Sequence, residues 1–327
     1  MGVPDPRHSR ALLVGVSEYP RLPPDRWLPT VAAGLHRLVE VLRDDRVWGL
    51  PEQNCTVLDQ PPDSDTVITA LRKAAKEARD ALVFYYAGHG LVDPAIADEQ
   101  LHLALPQSYE PGGTHMALSY AHVRREFRVS ARQAQRRLVT LDCCWSGKAL
   151  GTTMGGDDIV GETAIEGTAV LTATAATKKA LAPAGEQYTA FTGALIDTLV
   201  SGIDDGPELL DLGTIYRHLD AVQSGRGRPR PQFGGTGIGM GMTWTRNVAW
   251  RPSAPDTTAP VASAPGADSA ERVRQFRRAG EYAEAEALQQ EAVARADPDA
   301  VRARVSELRR SGNYEQALKH EQTIRPD

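Results

Sequence analysis

The sequence predicts an α/β fold: a three-layer α/β/α sandwich on a mainly parallel sheet, with a small C-terminal helical segment. Three observations carry this. Short apolar runs rich in β-branched residues alternate with amphipathic helical stripes over the first 250 residues, the pattern of repeated strand–helix units. Two of the runs break directly into small polar turns, Gly88-His89-Gly90 and Asp142-Cys143-Cys144-Trp145-Ser146-Gly147, as strands do where a parallel sheet meets its functional edge. The composition then changes abruptly at Arg251.

Taken in order, Ala11–Val16 (ALLVGV) reads as a first buried strand, followed by an irregular loop, SEYPRLPPDRWLP, punctuated by Pro and Asp. Val31, Leu35, Leu38, Val39 and Leu42 form a helical stripe, and Cys55–Leu58 a short second strand. Thr66–Ala81 reads as a helix capped by Ser64 or Asp65. Leu82–Tyr86 is the third strand, Leu101–Leu105 a small hairpin strand, Ala121–Ala134 a helix and Leu138–Leu141 the fourth strand. Residues 148–166 lack any period and read as a mobile loop. Thr168–Ala173 is a fifth strand, Tyr188–Val200 and Leu212–Val222 are helices, and a last strand is expected in the Gly-rich stretch that follows.

The expected domains are 1–250, a linker over 251–270 and a helical region over 271–327. The linker is Pro, Ala, Ser and Thr with almost no bulky apolar residue. In the last region RVRQFRRAGEYAEAEAL and RVSELRRSGNYEQALKH align at an offset of 32 residues, pairing Gly280 with Gly312 and Tyr282 with Tyr314. A helix, a Gly turn, a Tyr and a second helix at this period resemble tetratricopeptide hairpins.

Totals narrow the function classes. A net charge of −5 gives no footprint for nucleic acid or a membrane surface, and no apolar run approaches the 18 residues of a membrane span. Three cysteines, two of them adjacent, make no disulfide framework. With no apolar signal-like run in MGVPDPRHSR, the expected location is the reducing cytoplasm.

The chemistry then rests on Cys144 and His89. A free thiol is only slightly ionised at neutral pH, and a neighbouring imidazole makes it a nucleophile. Two strand ends of one sheet can bring the two groups together. Gly90 lets backbone approach a substrate, and its N–H is placed to donate to an oxyanion. The remaining histidines show no metal-ligand spacing, and adjacent cysteines do not span a zinc tetrahedron. GTGIGMG (Gly235–Gly241) lacks the spacing of a dinucleotide fingerprint. Arg226, Arg228 and Arg230 read as a solvated basic loop, as does the acidic pair Asp157-Asp158.

The two turns resemble those of the caspase-like cysteine peptidases, the clan of caspases, metacaspases and their bacterial relatives. YYAGHG (Tyr85–Gly90) matches the family's His-Gly motif, and DCCWSG (Asp142–Gly147) matches its Asp-x-Cys-x-Ser-Gly form. SRALLVGVSEY is similar to its first strand, so the resemblance spans about residues 8–250. More narrowly, the chain looks like bacterial members fused to effector-associated modules. The resemblance implies Cys144 as nucleophile, His89 as base, the Gly90 and Cys144 N–H groups as oxyanion hole, and Cys143 as a packing residue. It implies that Asp142 binds a basic P1 side chain, since a carboxylate is the natural partner of Arg or Lys. One departure is the start of the first helix, TVAAGL, where metacaspases carry a second acidic residue and this chain has Ala32 and Ala33. Arg26 lies roughly where caspases place an Arg for a P1 Asp.

The expected function is therefore a cysteine endopeptidase acting on protein or peptide substrates, with no metal or organic cofactor. A regulatory partner or the C-terminal helices would restrain it. Two other classes compete: an inactive caspase-fold scaffold for protein–protein interaction, and a different Cys–His hydrolase or acyltransferase.

Overall fold

The structure is a computed structural model that describes residues 2–92, 100–109, 113–144, 167–173, 185–234 and 239–252, together with Arg272 and Leu288. In chain order the elements are β1 (Arg10–Gly15), α1 (Pro29–Arg43), β2 (Cys55–Asp59), α2 (Ser64–Glu77), β3 (Ala81–Ala87), β4 (Gly90–Val92), β5 (Leu101–Leu103), β6 (Leu118–Ser119), α3 (Tyr120–Val129) and β7 (Arg136–Asp142). Then come β8 (Ala169–Thr172), α4 (Ala190–Ser201), β9 (Leu209–Asp211), α5 (Leu212–Gly225), β10 (Gln232–Gly234) and β11 (Thr243–Arg246).

Six strands form the main sheet in the order β10-β8-β7-β3-β1-β2. Every pair is parallel except β10 with β8. The period-2 alternation of a strand sends neighbouring side chains to opposite faces. Leu12 and Val14 of β1 join Phe84, Tyr86 and Val139 in a core with Leu71 of α2 and Phe127 of α3. Ala11 and Leu13 join Val83, Leu138 and Leu171 in a second core with Leu35 of α1, Leu195 of α4 and Ile215 of α5. Sheets buried on both faces require strands apolar at every position, and β3 is buried along its whole length. The three layers expected from the sequence are thus present.

The strand order fixes where chemistry belongs. From β1 the chain goes out to β2 and then returns across β1 to β3 and β7. Loops leaving the carboxyl ends of β1 and β3 therefore diverge, and such a switch point opens a crevice at the sheet edge.

Several boundaries differ from expectation. α2 is capped by Asp63, whose carboxylate accepts the Thr66 N–H at 2.8 Å, not by Ser64 or Asp65. It ends at Glu77 because Ala78 is already extended and the next two N–H groups, of Arg79 and Asp80, donate to the His8 carbonyl. α3 stops at Val129, five residues short of the expected Ala134. The strand expected at Leu101–Leu105 ends at Leu103, and it is the centre of a three-stranded antiparallel sheet with β4 and β6. β9 and β11 make a further two-stranded sheet. The loop over 148–166, Asp157-Asp158, the linker beyond residue 252 and the tetratricopeptide-like region apart from Arg272 and Leu288 lie outside the described residues. Among those described, no helix is long and apolar enough to cross a membrane.

Candidate active site

Register brings the two turns together. β3 and β7 are neighbouring parallel strands whose last paired residues are Ala87 and Asp142. His89 and Cys144 each lie two residues beyond that pair, and neighbouring strands are only ~4.8 Å apart. Backbone contacts continue past the ladder: the Gly88 N–H donates to the Asp142 carbonyl at 3.2 Å. Gly90 lies so close to the thiol turn that a Cβ there would stand 2.0 Å from the Cys144 carbonyl oxygen and 3.3 Å from Cys143 Sγ. Only glycine permits that approach.

The imidazole is held from outside its own strand. His89 Nε2 is 2.6 Å from the carbonyl oxygen of Arg26, in the loop after β1. A carbonyl only accepts, so this bond calls for a proton on Nε2, and in the neutral imidazole Nδ1 is then the basic nitrogen. The Tyr19 ring packs on the imidazole with centroids 4.7 Å apart. Arg26 and His89 also line a recess with Leu22, Leu91 and Tyr109.

The two cysteines differ in environment. Cys143 is fully buried among apolar side chains, and burial pushes its thiol well above the ordinary range. Cys144 is half-buried. A nucleophile must be reached by substrate and must ionise, and only Cys144 has the access.

Asp142 points to the opposite face from Cys143, toward the start of α4. It is 3% exposed. Its Oδ2 accepts hydrogen bonds from the Thr189 and Thr192 hydroxyls, the latter at 2.5 Å, and Tyr85 Oη is 2.6 Å from the Thr192 hydroxyl. Burial raises its pKa, and the two threonine hydroxyls pull the other way. Thr192 also touches α1, since a Cβ on Gly34 would meet its methyl at 3.1 Å. Gly34 of α1 thus packs close to a side chain that holds the buried carboxylate.

Sequence reasoning missed Tyr19, Thr189, Thr192 and the carbonyl role of Arg26. A backbone acceptor has no sequence signature. Thr189 was legible only as a helix-start residue, and its hydroxyl caps nothing in its own helix. Two arginines of the basic loop are paired: Arg228 with Glu186, and Arg230 in a fork onto Asp220. Among the described residues no three His, Cys, Asp or Glu side chains converge as metal ligands.

Comparisons with known proteins bear on the family and the fold. The family model described as Peptidase_C14, caspase domain, matches residues 8–233. Among solved structures, caspase-1 from Spodoptera frugiperda aligns at a TM-score of 0.50 and 11% identity, covering 77% of this chain and 94% of that one. At that identity the likeness shows the fold alone. No curated protein matches the chain. With the family model covering most of the chain, and the His-Gly and Cys turns adjoining at one sheet edge, the chain belongs to the caspase-domain family of C14 peptidases.

Proposed function

We propose that the chain is a cysteine endopeptidase working through a His89–Cys144 dyad, with a preference for Arg or Lys at P1. The observation that carries the dyad is the β3–β7 register, which sets both residues two positions beyond the paired Ala87 and Asp142. His89, with its Nε2–H on the Arg26 carbonyl, accepts the Cys144 thiol proton at Nδ1. The thiolate attacks the scissile carbonyl, forming a C–S bond and an oxyanion received by the Gly90 and Cys144 N–H groups. Collapse breaks the C–N bond, and the imidazolium gives its proton to the leaving amine. Water, deprotonated by the neutral imidazole, then hydrolyses the thioester and regenerates the thiol. No step calls on a cofactor, and a reducing cytoplasm would keep the thiol competent.

The P1 preference rests on Asp142. A buried carboxylate held by two hydroxyls and the Thr192 backbone N–H, with no ion pair among the described residues, retains a demand for a cation, and a guanidinium or ammonium supplies it. The linker and helical tail motivate control by a regulatory protein, which unchanged rate and substrate range after deletion of residues 251–327 would rule out.

The test is a thiol-directed peptide probe carrying Arg at P1, read by mass spectrometry. Labelling and peptide cleavage are expected to vanish in Cys144→Ala, by at least ~10³-fold, and to persist in Cys143→Ala. Persistence in Cys144→Ala reassigns the nucleophile. A wild-type chain that neither labels nor cleaves is a scaffold.

A further inference from the structure

We propose that Tyr19 is a positioning residue for His89, and that the loop from Ser17 to Leu28 is a preformed holder for the imidazole. This deepens the dyad reading and rests on it. One loop reaches His89 at three points. The Tyr19 hydroxyl accepts the His89 backbone N–H at 2.8 Å, the Tyr19 ring packs on the imidazole at 46°, and the Arg26 carbonyl receives Nε2. On the other side of the same peptide, Tyr86 Oη donates to the His89 carbonyl at 2.9 Å, a proton it shares with the Ala104 carbonyl at 2.7 Å. His89 is therefore gripped at both ends of its backbone and on its ring.

The Tyr19 hydroxyl is not interchangeable with a hydrogen. Tyr19 is completely buried, and its single proton goes to the Val16 carbonyl at 3.1 Å. That orientation turns a lone pair toward the His89 N–H, which phenylalanine cannot offer. The space is built around the two phenols: a Cβ on Gly88 would lie 2.5 Å from Tyr86 Oη and 2.8 Å from Tyr19 Oη. The glycine ahead of the histidine thus makes room for the hydroxyls that hold it.

The loop is itself braced. The Leu28 N–H closes it onto the Ser17 carbonyl at 2.7 Å, and Trp27 Nε1 donates to the Tyr19 carbonyl at 3.0 Å. Gln60, just past β2, accepts the Ser17 N–H at 2.8 Å and donates to the Glu18 carbonyl at 3.0 Å. These bonds tie the holder to β2, so its geometry is set before any substrate arrives. A core aromatic needs only its ring, whereas this residue spends its hydroxyl on the histidine backbone and its carbonyl on the loop that carries Arg26.

The experiment uses the full chain. In a Cys144→Ala background, ¹⁵N spectra of labelled histidine report the tautomer of His89, assigned by loss of its signals in His89→Asn. The parent is expected to show the Nε2–H form, and Tyr19→Phe a mixture of both tautomers. In the Cys144 protein, Tyr19→Phe is expected to lower kcat about tenfold with KM within about twofold, since misplacement of a proton acceptor affects the chemical step. Trp27→Phe, which removes the N–H on the Tyr19 carbonyl along with part of the indole's packing, should shift both readouts the same way by less, and it decides the matter if Tyr19→Phe does not fold. Wild-type tautomer and kcat in the variants that fold overturn the proposal. So does a kcat loss no larger than the loss of folded protein with the tautomer unchanged. Peptide cleavage that survives in His89→Asn sinks the dyad reading instead and leaves the spectroscopic result standing.

Discussion

Two buried acids of this molecule are supplied with partners in opposite ways. Glu126 and Asp142 are each 3% exposed. Glu126, on α3, receives a two-pronged bond from Arg72 at 2.9 and 3.2 Å and a third from the Ser130 hydroxyl at 2.6 Å. Burial pushes its pKa up, but the Arg72 and Ser130 bonds outweigh that and hold it below the usual carboxylate range. Asp142 has threonine hydroxyls and no ion pair among the described residues, and burial wins. The fold pairs its structural acid with a cation of its own. Among the described residues it leaves the acid at the edge of the candidate site without one, which is how a pocket for a cationic side chain would be built.

That contrast breaks most visibly at Asp142. Asp142→Asn keeps the shape and removes the charge, so kcat/KM for a P1-Arg peptide is expected to fall ~10²–10³-fold, the cost of losing a buried charge pair. The thermal midpoint should stay level or rise. An unchanged P1 preference across a peptide library would end the comparison. At Glu126 the pattern should invert: Glu126→Gln lowers the midpoint by about 5 °C in calorimetry, because it strips the charge from a satisfied cluster, and the P1-Arg to P1-Ala rate ratio stays constant.

The smallest effect is in pH. Glu126 titrates below its unfolded value of 4.5, so its contribution is present above that value and lost as pH falls through the lowered folded one. Asp142 titrates above its unfolded 3.8, so its contribution is full below 3.8 and lost as pH rises through the raised value. Denaturation measured from pH 7 to pH 3 should therefore show the deficit of Glu126→Gln shrinking on acidification. Any advantage of Asp142→Asn should shrink over the same range, as the native carboxyl takes up its proton.

Much of the site could be read from the chain. Gly88-His89-Gly90 and Asp142-Cys143-Cys144 each follow an apolar run, and a thiol and an imidazole at two strand ends already pointed to acyl transfer. What could not be read was how those groups are held. The Tyr19–His89 contact joins residues 70 apart, and the Arg26 contact uses a backbone atom every residue possesses. Arg26 drew notice only because caspases place an Arg roughly there for a P1 Asp, and it is its carbonyl that meets the imidazole. Asp142 was expected to face a substrate. Its bonds to Thr189 and Thr192 depend on where α4 docks, which no local pattern encodes. The end of α2 was missed for a related reason: it stops where tertiary hydrogen bonds to the His8 carbonyl take over the backbone, not where helix propensity fails.

The sequence by itself determined the layer order, the sheet type and the residues able to do chemistry, because periodicity and residue type are local properties of the chain. The tertiary structure alone decided the rest: which of the adjacent cysteines is reachable, which nitrogen of His89 meets the Arg26 carbonyl, and which buried acid has no ion pair among the described residues. Each of these depends on neighbours from distant segments, and burial and hydrogen-bond geometry exist only once those segments have met.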